Sequence, residues 1–302
     1  MPSINRAINY LLHNRKQFLD SCIKNLGFVF PDKLYLTLRY RCLMGRWIDW
    51  NNPKAFTEKI QWLKLYDYKP EYVEIVDKLR VKDIVKSKIG GKYVIPTLAV
   101  WDSVENVNID TLPSQFVLKT THGGGGTGVV VCPDKLKFNK SDAFKKLSHS
   151  MSSVVGKEFR EKPYYNVPRR IIAEQYISTS ECDLKDYKFF CFNGKVNFFK
   201  VDFGRFVEHH ANYYSTCGEL LPFGERGLEP DCNHVEIMPS NLDEMIRIAE
   251  VLSEGYKYLR VDLYNVDGKI YFGELTLYPG GGMVPYTSTV WDEKIGSYLN
   301  LA

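Results

Sequence analysis

A stretch towards the end of the chain, residues 259–283, constrains most strongly how this sequence can fold. It reads LRVDLYNVDGKIYFGELTLYPGGGM, two segments rich in β-branched, aromatic and aliphatic residues on either side of Asp267-Gly268. An Asp-Gly pair between two such segments predicts a β-hairpin. Each predicted strand contains one acid, Asp262 or Glu274, and a charge within an apolar strand is costly unless a partner pairs with it.

The register of this hairpin decides whether the two acids meet. A two-residue turn would place Asp262 opposite Gly273 and direct Glu274 to the other side of the sheet. A three-residue loop over 266–268, with the glycine in the left-handed conformation, separates the polar side chains from the apolar ones. One face then carries Arg260, Asp262, Glu274 and Thr276. We predict the three-residue loop, because it produces one clean apolar face.

Two carboxylates and a guanidinium beside a Pro-Gly-Gly-Gly loop are suited to a magnesium–polyphosphate site. Mg²⁺ prefers oxygen ligands, and a cation stabilises a phosphate group during its transfer. The alternative is an ion pair between Arg260 and Glu274 on a half-exposed sheet surface. This stretch alone supports the two interpretations equally.

The composition excludes several classes of protein. The 302 residues, 44% of them hydrophobic, are enough for a core and two or three subdomains. A net charge of +4 implies no nucleic-acid partner, and no segment approaches the ~18 apolar residues of a membrane span. Seven cysteines without a C-x-x-C pair predict reduced thiols in a cytoplasmic protein.

The N-terminal third is predicted to be largely helical. Residues 3–23 alternate apolar and basic side chains at helical spacing, which predicts an amphipathic helix. Its basic side could lie on an anionic membrane surface, but we favour a helix packed on the body of the protein. Further helices are predicted over 31–40 and 53–66.

A charged helix is predicted over 76–85. It places Lys78 and Lys82 four residues apart on one side, where they could reach a phosphate or a base. A solvated helix face is the more common role for such lysines.

A glycine-rich segment joins two predicted strands, 115–119 and 129–131. It reads THGGGGTG from Thr121, lacks Gly-Lys-Ser/Thr and is not followed by a helix, which excludes a Walker A loop. We predict a flap that closes over nucleotide phosphates, with Lys119 just behind it. An ordinary flexible loop is the alternative, but four consecutive glycines cost much backbone entropy without a gain in packing.

A second hairpin is predicted around Asn193-Gly194, between strands 186–192 and 195–201. Lys188 is a charge within an aromatic strand and requires an anionic partner. A strand over 170–177 precedes this hairpin, and a helix is predicted over 242–252.

In this order, the features resemble the TupA-like ATP-grasp proteins of bacterial cell-surface polysaccharide clusters. The resemblance covers about residues 30–300. Its segments are NPKAFTEKIQWLKLYD (52–67), KTTHG (119–123), LKDYKFFCFNGK (184–195), RVDLYNV (260–266) and FGELT (272–276). It implies an α+β protein with an ATP-grasp fold, in which two α+β subdomains clasp ATP. A helical region, 1–76, would precede a domain, 77–302, made of a lid subdomain of about 77–172 and a metal-binding subdomain of about 173–302.

The resemblance also implies roles for individual residues. The residues in contact with ATP would be Lys78, Lys82, Lys119, His122, Gly123, Gly124, Gly125, Gly126, Glu174, Gln175, Tyr176, Ile177 and Asp183. Lys188 would reach phosphate, and Arg260 would balance charge on the transferring phosphoryl group. Mg²⁺ or Mn²⁺ would be held by Asp262, Glu274 and Thr276. Most ATP-grasp enzymes have asparagine at the last position, which weakens the transfer of the metal role to Thr276.

The activity that the resemblance implies is ATP-dependent carboxylate–amine ligation, with Mg²⁺ and an acylphosphate intermediate, in capsule, teichuronopeptide-like or exopolysaccharide biosynthesis. The carboxylate would belong to a uronic acid or an amino acid, and the amine to an amino acid or an amino sugar. Gly280–Gly282 would leave room for the substrate. Substrate-facing residues are expected among Arg205, His209, His210, Tyr213, Tyr214, Met283 and Tyr286.

Three other functions stay open. An ATP-grasp kinase would stop at a phosphorylated product and would use the same residues. A glycosyltransferase is less favoured, because the chain contains no Asp-x-Asp triplet. A nucleotide-binding protein without catalysis is the third. A lipid-linked acceptor would place the protein at the inner face of the membrane.

Overall fold

The computed structural model describes residues 15–178, 184–204 and 210–302. The α-helices of this part of the chain are Arg15–Asn25 (α1), Asp32–Met44 (α2), Phe56–Tyr66 (α3), Tyr72–Val76 (α4), Val81–Ile89 (α5), Lys140–Ser152 (α6), Leu242–Ser253 (α7) and Thr289–Tyr298 (α8). The strands are Thr97–Trp101 (β1), Phe116–Thr120 (β2), Val129–Cys132 (β3), Ile171–Gln175 (β4), Asp186–Phe192 (β5), Lys195–Phe203 (β6), His210–Ser215 (β7), Tyr258–Val266 (β8) and Lys269–Thr276 (β9).

The strands form two antiparallel sheets. The smaller sheet has the order β1-β4-β2-β3 and the larger one the order β7-β6-β5-β8-β9. Helix α6 covers one face of the smaller sheet, where its Leu147 packs with Phe116, Leu118 and Ile171. Helix α7 covers the larger sheet and packs against β5, β6 and β8. The architecture is the predicted α+β class.

The core of the larger sheet extends into the N-terminal third of the chain. Phe56 of α3 and Val85 of α5 belong to the same apolar cluster as Phe189 and Val261 of the sheet. Such a shared core couples the stability of these helices to that of the sheet. The division of the chain at residue 76 stays a prediction.

The prediction of a helix over 76–85 is wrong for the first half of this range, which contains a break between two helices. Helix α4 ends just before Asp77, whose backbone is extended, and α5 begins four residues later. The Asp77 carboxylate is fully buried, accepts two backbone N–H groups of the following turn and pairs with Arg170 at 2.8 Å. It therefore competes with the helical hydrogen bonds. Lys78 lies in the connection, while Lys82 lies on α5.

The three-residue loop predicted for the β8–β9 hairpin is wrong, but the two acids still meet. The turn is Asp267-Gly268 alone, with positive φ at both residues. A β-bulge at Gly273 then shifts the register, so that Asp262 lies opposite Glu274. A Cβ on Gly273 would lie 3.0 Å from the carbonyl oxygen of Asp262, so glycine suits this position. The bulge, and not the turn, brings the acids together.

The glycine-rich loop after β9 is packed against α3 and is not open to a substrate. Gly281 and Gly282 are buried and have φ values of 62° and 61°. Gln61 donates hydrogen bonds to both carbonyl oxygens, at 3.0 and 2.8 Å, and Lys64 donates to that of Gly281 at 2.5 Å. The expectation that Gly280–Gly282 leaves room for a substrate is therefore wrong for Gly281 and Gly282, while Gly280 is exposed and its role stays a prediction.

We expect Gly281→Ala to lower the free energy of unfolding by about 2–4 kcal/mol. A Cβ here would lie 2.5 Å from the ring of Phe159, in a backbone conformation that is already unfavourable for alanine. Urea denaturation would measure the loss. Gly227→Ala is the matched control, because Gly227 has a φ of 87° and open space around it. Equal losses in the two variants would contradict the steric explanation.

Helix α1 is the described part of the amphipathic helix predicted over 3–23. It packs against α2, and its Asp20 pairs with Arg39 at 2.7 Å, but none of its residues is buried. Phe18 and Leu19 are 47% and 52% exposed. The helix packs on the body as predicted, yet leaves apolar side chains uncovered. In the ranges that the structure describes, no helix has the length and apolar character needed to cross a bilayer.

Candidate nucleotide-binding site

One face of the larger sheet carries charged side chains from four neighbouring strands. The strand pairing arranges these side chains in three parallel rows on the same face. The middle row contains Lys200, Lys188, Asp262 and Glu274. The row on one side of it contains Arg260 and Thr276, and the row on the other side contains Asp186 and Asp202. Side chains alternate along a strand, so these groups face away from the core residues Phe189 and Val261. The predicted common face of Arg260 and the two acids is present in the structure.

Arg260 connects the polar groups of β8 and β9. Its guanidinium donates two hydrogen bonds to the carboxylate of Asp262, both at 2.7 Å. It also donates to Glu274 at 3.1 Å and to the hydroxyl of Thr276 at 3.0 Å. A bidentate bond of this kind is directional, so Arg260 orients all three oxygen-bearing side chains.

Lys188 is enclosed by three carboxylates. Its Nζ pairs with Asp186 and lies 2.8 Å from Asp202 and 3.7 Å from Asp262. Burial by itself lowers the pKa of Lys188, but the three carboxylates raise it overall. The anionic partner that the sequence demands is therefore supplied by the protein. The contact of Lys188 with phosphate stays a prediction.

On the smaller sheet, Glu174 binds two of the predicted lysines. Its carboxylate lies 2.5 Å from Nζ of Lys82 and 2.6 Å from Nζ of Lys119. Burial raises the pKa of Glu174, but the two ammonium groups lower it overall. The resemblance placed Glu174 among the ATP contacts, and nothing in the sequence indicated that its side chain is the counter-ion of the two lysines.

The glycine-rich segment is the loop of the β2–β3 hairpin, as predicted. Gly125 and Gly126 are exposed and have φ values of 58° and 76°. At the base, Lys78 donates a hydrogen bond of 2.5 Å to the carbonyl oxygen of Gly123. A Cβ on Gly123 would lie 2.5 Å from the hydroxyl of Thr120. The flap is thus held at its base and open at its tip, where Gly124–Gly126 lie.

His122 is buried below the flap, with 2% of its surface exposed. Its Nε2 lies 3.0 Å from the carbonyl oxygen of Ser150, and a carbonyl accepts a hydrogen bond only from a protonated nitrogen. Burial lowers the pKa of His122, so the ring is neutral at pH 7. The ring holds the base of the flap, and its contact with a nucleotide stays a prediction.

Strand β4 ends at Gln175, and the segment that follows leaves the smaller sheet. Gln175 is exposed, and Tyr176 and Ile177 are partly exposed, which leaves them free to contact a ligand as predicted from the resemblance. Asp183 lies outside the described residues.

An apolar surface flanks the lysines on the smaller sheet. Val100 of β1 and Val131 of β3 are 43% and 42% exposed. The strand pairing places them on the same side of the sheet as Lys119 and Glu174. This side combines an apolar area with two cations.

A lysine from the connection between α4 and α5 approaches Glu274 of the larger sheet. Nζ of Lys78 lies 3.7 Å from its carboxylate. Burial raises the pKa of Glu274, but the charges of Lys78, Arg260, Lys188 and Lys119 together lower it to about 2. Cations of the larger sheet, of β2 and of the connection between α4 and α5 therefore act on one carboxylate.

The whole of this site lies within a recognised family domain. The profile of the TupA-like ATPgrasp family matches residues 58–300. The chain belongs to the TupA-like ATP-grasp family. The match confirms the predicted family and the ATP-grasp fold.

Solved structures similar to this ATP-grasp chain include two D-alanine–D-alanine ligases. The Helicobacter pylori enzyme is 13% identical, with a TM-score of 0.45, over 82% of this chain and 70% of that chain. The Bacillus anthracis enzyme complexed with ATP is 16% identical, with a TM-score of 0.39, over 68% of this chain and 54% of that chain.

A third similar structure is the N5-carboxyaminoimidazole synthetase from Staphylococcus aureus complexed with ADP. It is 16% identical, with a TM-score of 0.41, over 72% of this chain and 50% of that chain. The chain spans about half the length of this synthetase and of the Bacillus anthracis ligase. Comparison with curated proteins found no match.

Asp262, Glu274 and Thr276 present the oxygen donors that Mg²⁺ prefers. The two carboxylates face each other on neighbouring strands, and the Thr276 hydroxyl lies 3.4 Å from Glu274. Within residues 15–178, 184–204 and 210–302 there is no cluster of three or more His, Cys, Asp or Glu side chains able to hold a metal ion. The role of these residues as metal ligands stays a prediction.

We expect Mg²⁺ alone to leave the melting temperature of the protein unchanged, while Mg²⁺ together with ATP raises it further than ATP alone. Two carboxylates that already bind Arg260 are a weak site until phosphate oxygens complete the coordination. A thermal-shift titration measures this, with Na⁺ at matched ionic strength as the control. A clear shift with Mg²⁺ alone would show an independent metal site.

Some residues expected to face the substrate are in the core. Tyr213 and Tyr214 are fully buried and Met283 is 4% exposed. The hydroxyl of Tyr213 donates a hydrogen bond of 2.7 Å to Glu225. The expectation is wrong for these three residues, because Tyr213 and Tyr214 of β7 are packed in the core of the larger sheet and Met283 is packed in a second cluster, with Tyr40. Residues 205–209 lie outside the described part of the chain.

Proposed function

We propose that this protein is an ATP- and Mg²⁺-dependent ligase that joins a carboxylate to an amine. The observation that supports this most directly is that Lys78, from the connection beside the flap, and Arg260, from the larger sheet, both approach Glu274. A polyphosphate carries several negative charges, and cations positioned around it lower the free energy of phosphoryl transfer. Membership in the TupA-like ATP-grasp family supports the same chemistry.

The smaller sheet is suited to the nucleotide. The apolar area at Val100 and Val131 would pack against the base. Lys119 and Lys82 would exchange part of their contact with Glu174 for phosphate oxygens. The backbone N–H groups at the exposed tip of the flap would point at the same phosphates, because glycine backbone can form such anion-binding concavities.

The larger sheet is suited to the reacting groups. Asp262, Glu274 and Thr276 would hold Mg²⁺, which would neutralise charge on the phosphates. Arg260 and Lys188 are the proposed catalytic residues, and they would face the γ-phosphate. The substrate carboxylate would attack the γ-phosphorus and release ADP, and the amine would then displace phosphate from the acylphosphate.

The biological setting is part of the proposal. We propose a role in the synthesis of bacterial cell-surface polysaccharide, with a uronic acid or an amino acid as the carboxylate and an amino acid or an amino sugar as the amine. A kinase of the same fold is the second candidate, because the same side chains would serve it. ADP release that requires both a carboxylate and an amine supports the ligase, and ADP release with one acceptor alone supports the kinase.

The test of the nucleotide site is a thermal-shift titration with ATP and Mg²⁺. A ligand at a hundredfold excess over its Kd stabilises the folded state by ~2.7 kcal/mol. We expect a saturable shift that is larger with both components than with ATP alone. If the folded protein shows no shift with ATP and Mg²⁺ but shifts with sugar nucleotides, the glycosyltransferase alternative replaces this proposal.

A further inference from the structure

Positive charge is concentrated at the start of the chain. Residues 1–47 contain eight lysines and arginines and only two acids, Asp20 and Asp32, which is a net charge of +6. The remaining residues contain 32 basic and 34 acidic side chains, which is a net charge of −2. The small net charge of the whole chain therefore conceals a basic N-terminal region.

Both acids of this region are already paired. Asp20 binds the buried guanidinium of Arg39 at 2.7 Å. Asp32 lies 3.1 Å from Arg160 and 3.4 Å from Lys162. Four exposed cations of the region form no ion pair within the described residues. They are Arg15, Lys16, Lys33 and Arg41.

Exposed apolar side chains are concentrated in the same region. Residues 15–47 contain seven of the 17 large hydrophobic side chains that are exposed in the described part of the chain. They are Phe18, Leu19, Leu26, Phe28, Val29, Leu34 and Trp47. Contiguous exposed apolar area on a folded protein marks an interaction surface.

The turn after α1 presents the most exposed of these side chains. Phe28 is 86% exposed and Val29 62% exposed. Gly27 between α1 and Phe28 is buried against Tyr35, where an added Cβ would lie 2.7 Å from the ring. Its carbonyl oxygen accepts a hydrogen bond of 2.5 Å from Arg160. The backbone is thus held on the body while the two side chains point outwards.

Helix α1 continues this apolar surface. At about 100° per residue, Phe18 and Leu19 of α1 and Leu26, the residue just after the helix, fall within roughly 100° of arc around the extended helix axis. At the other end of α1, Lys16 and Arg41 both lie against Gly45. An apolar strip therefore runs along α1 between a cationic end and an apolar tip.

We propose that this N-terminal surface, made of α1 and the turn at residues 26–29, binds an anionic lipid bilayer. Unpaired cations beside protruding apolar side chains match a surface that has negative headgroups over an apolar interior. A protein partner would have to supply acids for four separated cations as well as an apolar pocket for the tip. The proposal does not depend on the nucleotide chemistry.

The test is co-sedimentation of the full-length protein with vesicles. One set contains equal parts phosphatidylglycerol and phosphatidylcholine, and the other contains phosphatidylcholine alone. Two double variants are compared with wild type. The tip variant combines Phe28→Ser and Val29→Ser, and the charge variant combines Lys16→Gln and Arg41→Gln. The matched control is Leu136→Ser with Ile237→Ser, since these residues are 98% and 90% exposed but lie elsewhere in the chain.

We expect wild type and the control to bind the anionic vesicles and not the neutral ones, with weaker binding at high salt. The variant with Phe28→Ser and Val29→Ser should lose roughly tenfold or more in vesicle affinity. The variant with Lys16→Gln and Arg41→Gln should lose its preference for anionic lipid. Circular dichroism verifies that every variant is folded. Neither this control nor the vesicle assay depends on ATP binding.

Three results would overturn the proposal. Wild type that fails to bind anionic vesicles is the first, and equal binding by all variants is the second. The third is a concentration-dependent dimer, seen in light scattering, that the Phe28→Ser and Val29→Ser substitutions abolish. The surface would then be a contact between two copies of this chain.

Discussion

Glutamine in place of Glu274 should abolish the Mg²⁺-dependent stabilisation by ATP and reduce ATP turnover by roughly a hundredfold to a thousandfold. The amide has the shape of the carboxylate but none of its charge, so it offers a poorer ligand to Mg²⁺. Lys78 and Arg260 would also lose the carboxylate on which they converge. Thermal-shift titration and an ADP-release assay measure the two effects.

The control for this variant is Glu293→Gln, because Glu293 is an exposed acid of α8. It should behave as wild type in both assays. The folded state of Glu274→Gln without ligand should melt below wild type, because the cations that lower the pKa of Glu274 also stabilise the folded state. Its response to ATP and Mg²⁺ is therefore measured against its own ligand-free melting temperature. A full response to ATP and Mg²⁺ in the Glu274→Gln variant would remove the main support for the proposed site.

Glu174→Gln should have the largest effect on stability, a loss of about 3–5 kcal/mol in the free energy of unfolding. The Glu174, Lys82 and Lys119 side chains are only 5%, 7% and 17% exposed. Removing the carboxylate leaves two buried ammonium groups without a counter-ion, and such charges are costly in an apolar environment. Urea denaturation measures the loss.

A surface pair provides the matched control for the stability measurement. Glu74 lies 3.5 Å from Arg80, and both side chains are about half exposed. Glu74→Gln should cost about 0.5 kcal/mol or less, because solvent screens exposed pairs. Comparable losses in the two variants would show that burial of the Glu174 cluster has no energetic consequence.

The effect of Glu174→Gln should also depend on pH. The lysines hold the pKa of Glu174 below its ordinary value of 4.5. The carboxylate therefore contributes its full stabilisation above pH 4.5, and the contribution is lost as the pH falls through the folded-state pKa. The difference between wild type and variant should shrink on acidification, and a constant difference would contradict the ion-pair explanation.

Short-range patterns determined much of the site. Alternation along β8 is sufficient to place Arg260 and Asp262 on the face opposite the core, because successive side chains point to opposite sides of a strand. The two hairpins follow from Asn193-Gly194 and Asp267-Gly268, since these pairs tolerate positive φ at both positions. The same alternation would have paired Lys188 with Asp186, two residues earlier on its strand.

Other features depend on contacts between residues far apart in the sequence. The helix predicted over 76–85 is interrupted because Asp77 binds Arg170, 93 positions later. Helical propensity contains no information about such a partner. Asp202 reaches Lys188 only because β6 pairs with β5, and Glu174 becomes the counter-ion of Lys82 only because α5 packs beside the smaller sheet.

The chain's own sequence therefore determined the family and the α+β class, through its resemblance to known proteins, and the identity of the charged side chains, through residue type and local spacing. The tertiary structure decided the register at Gly273 and the closed packing of Gly281 against Gln61, 220 positions apart. The register depends on how closely the backbones of β8 and β9 approach each other. The packing of Gly281 depends on how closely its backbone approaches the Gln61 side chain. Both distances are determined by the packing of the whole core, which no local pattern specifies.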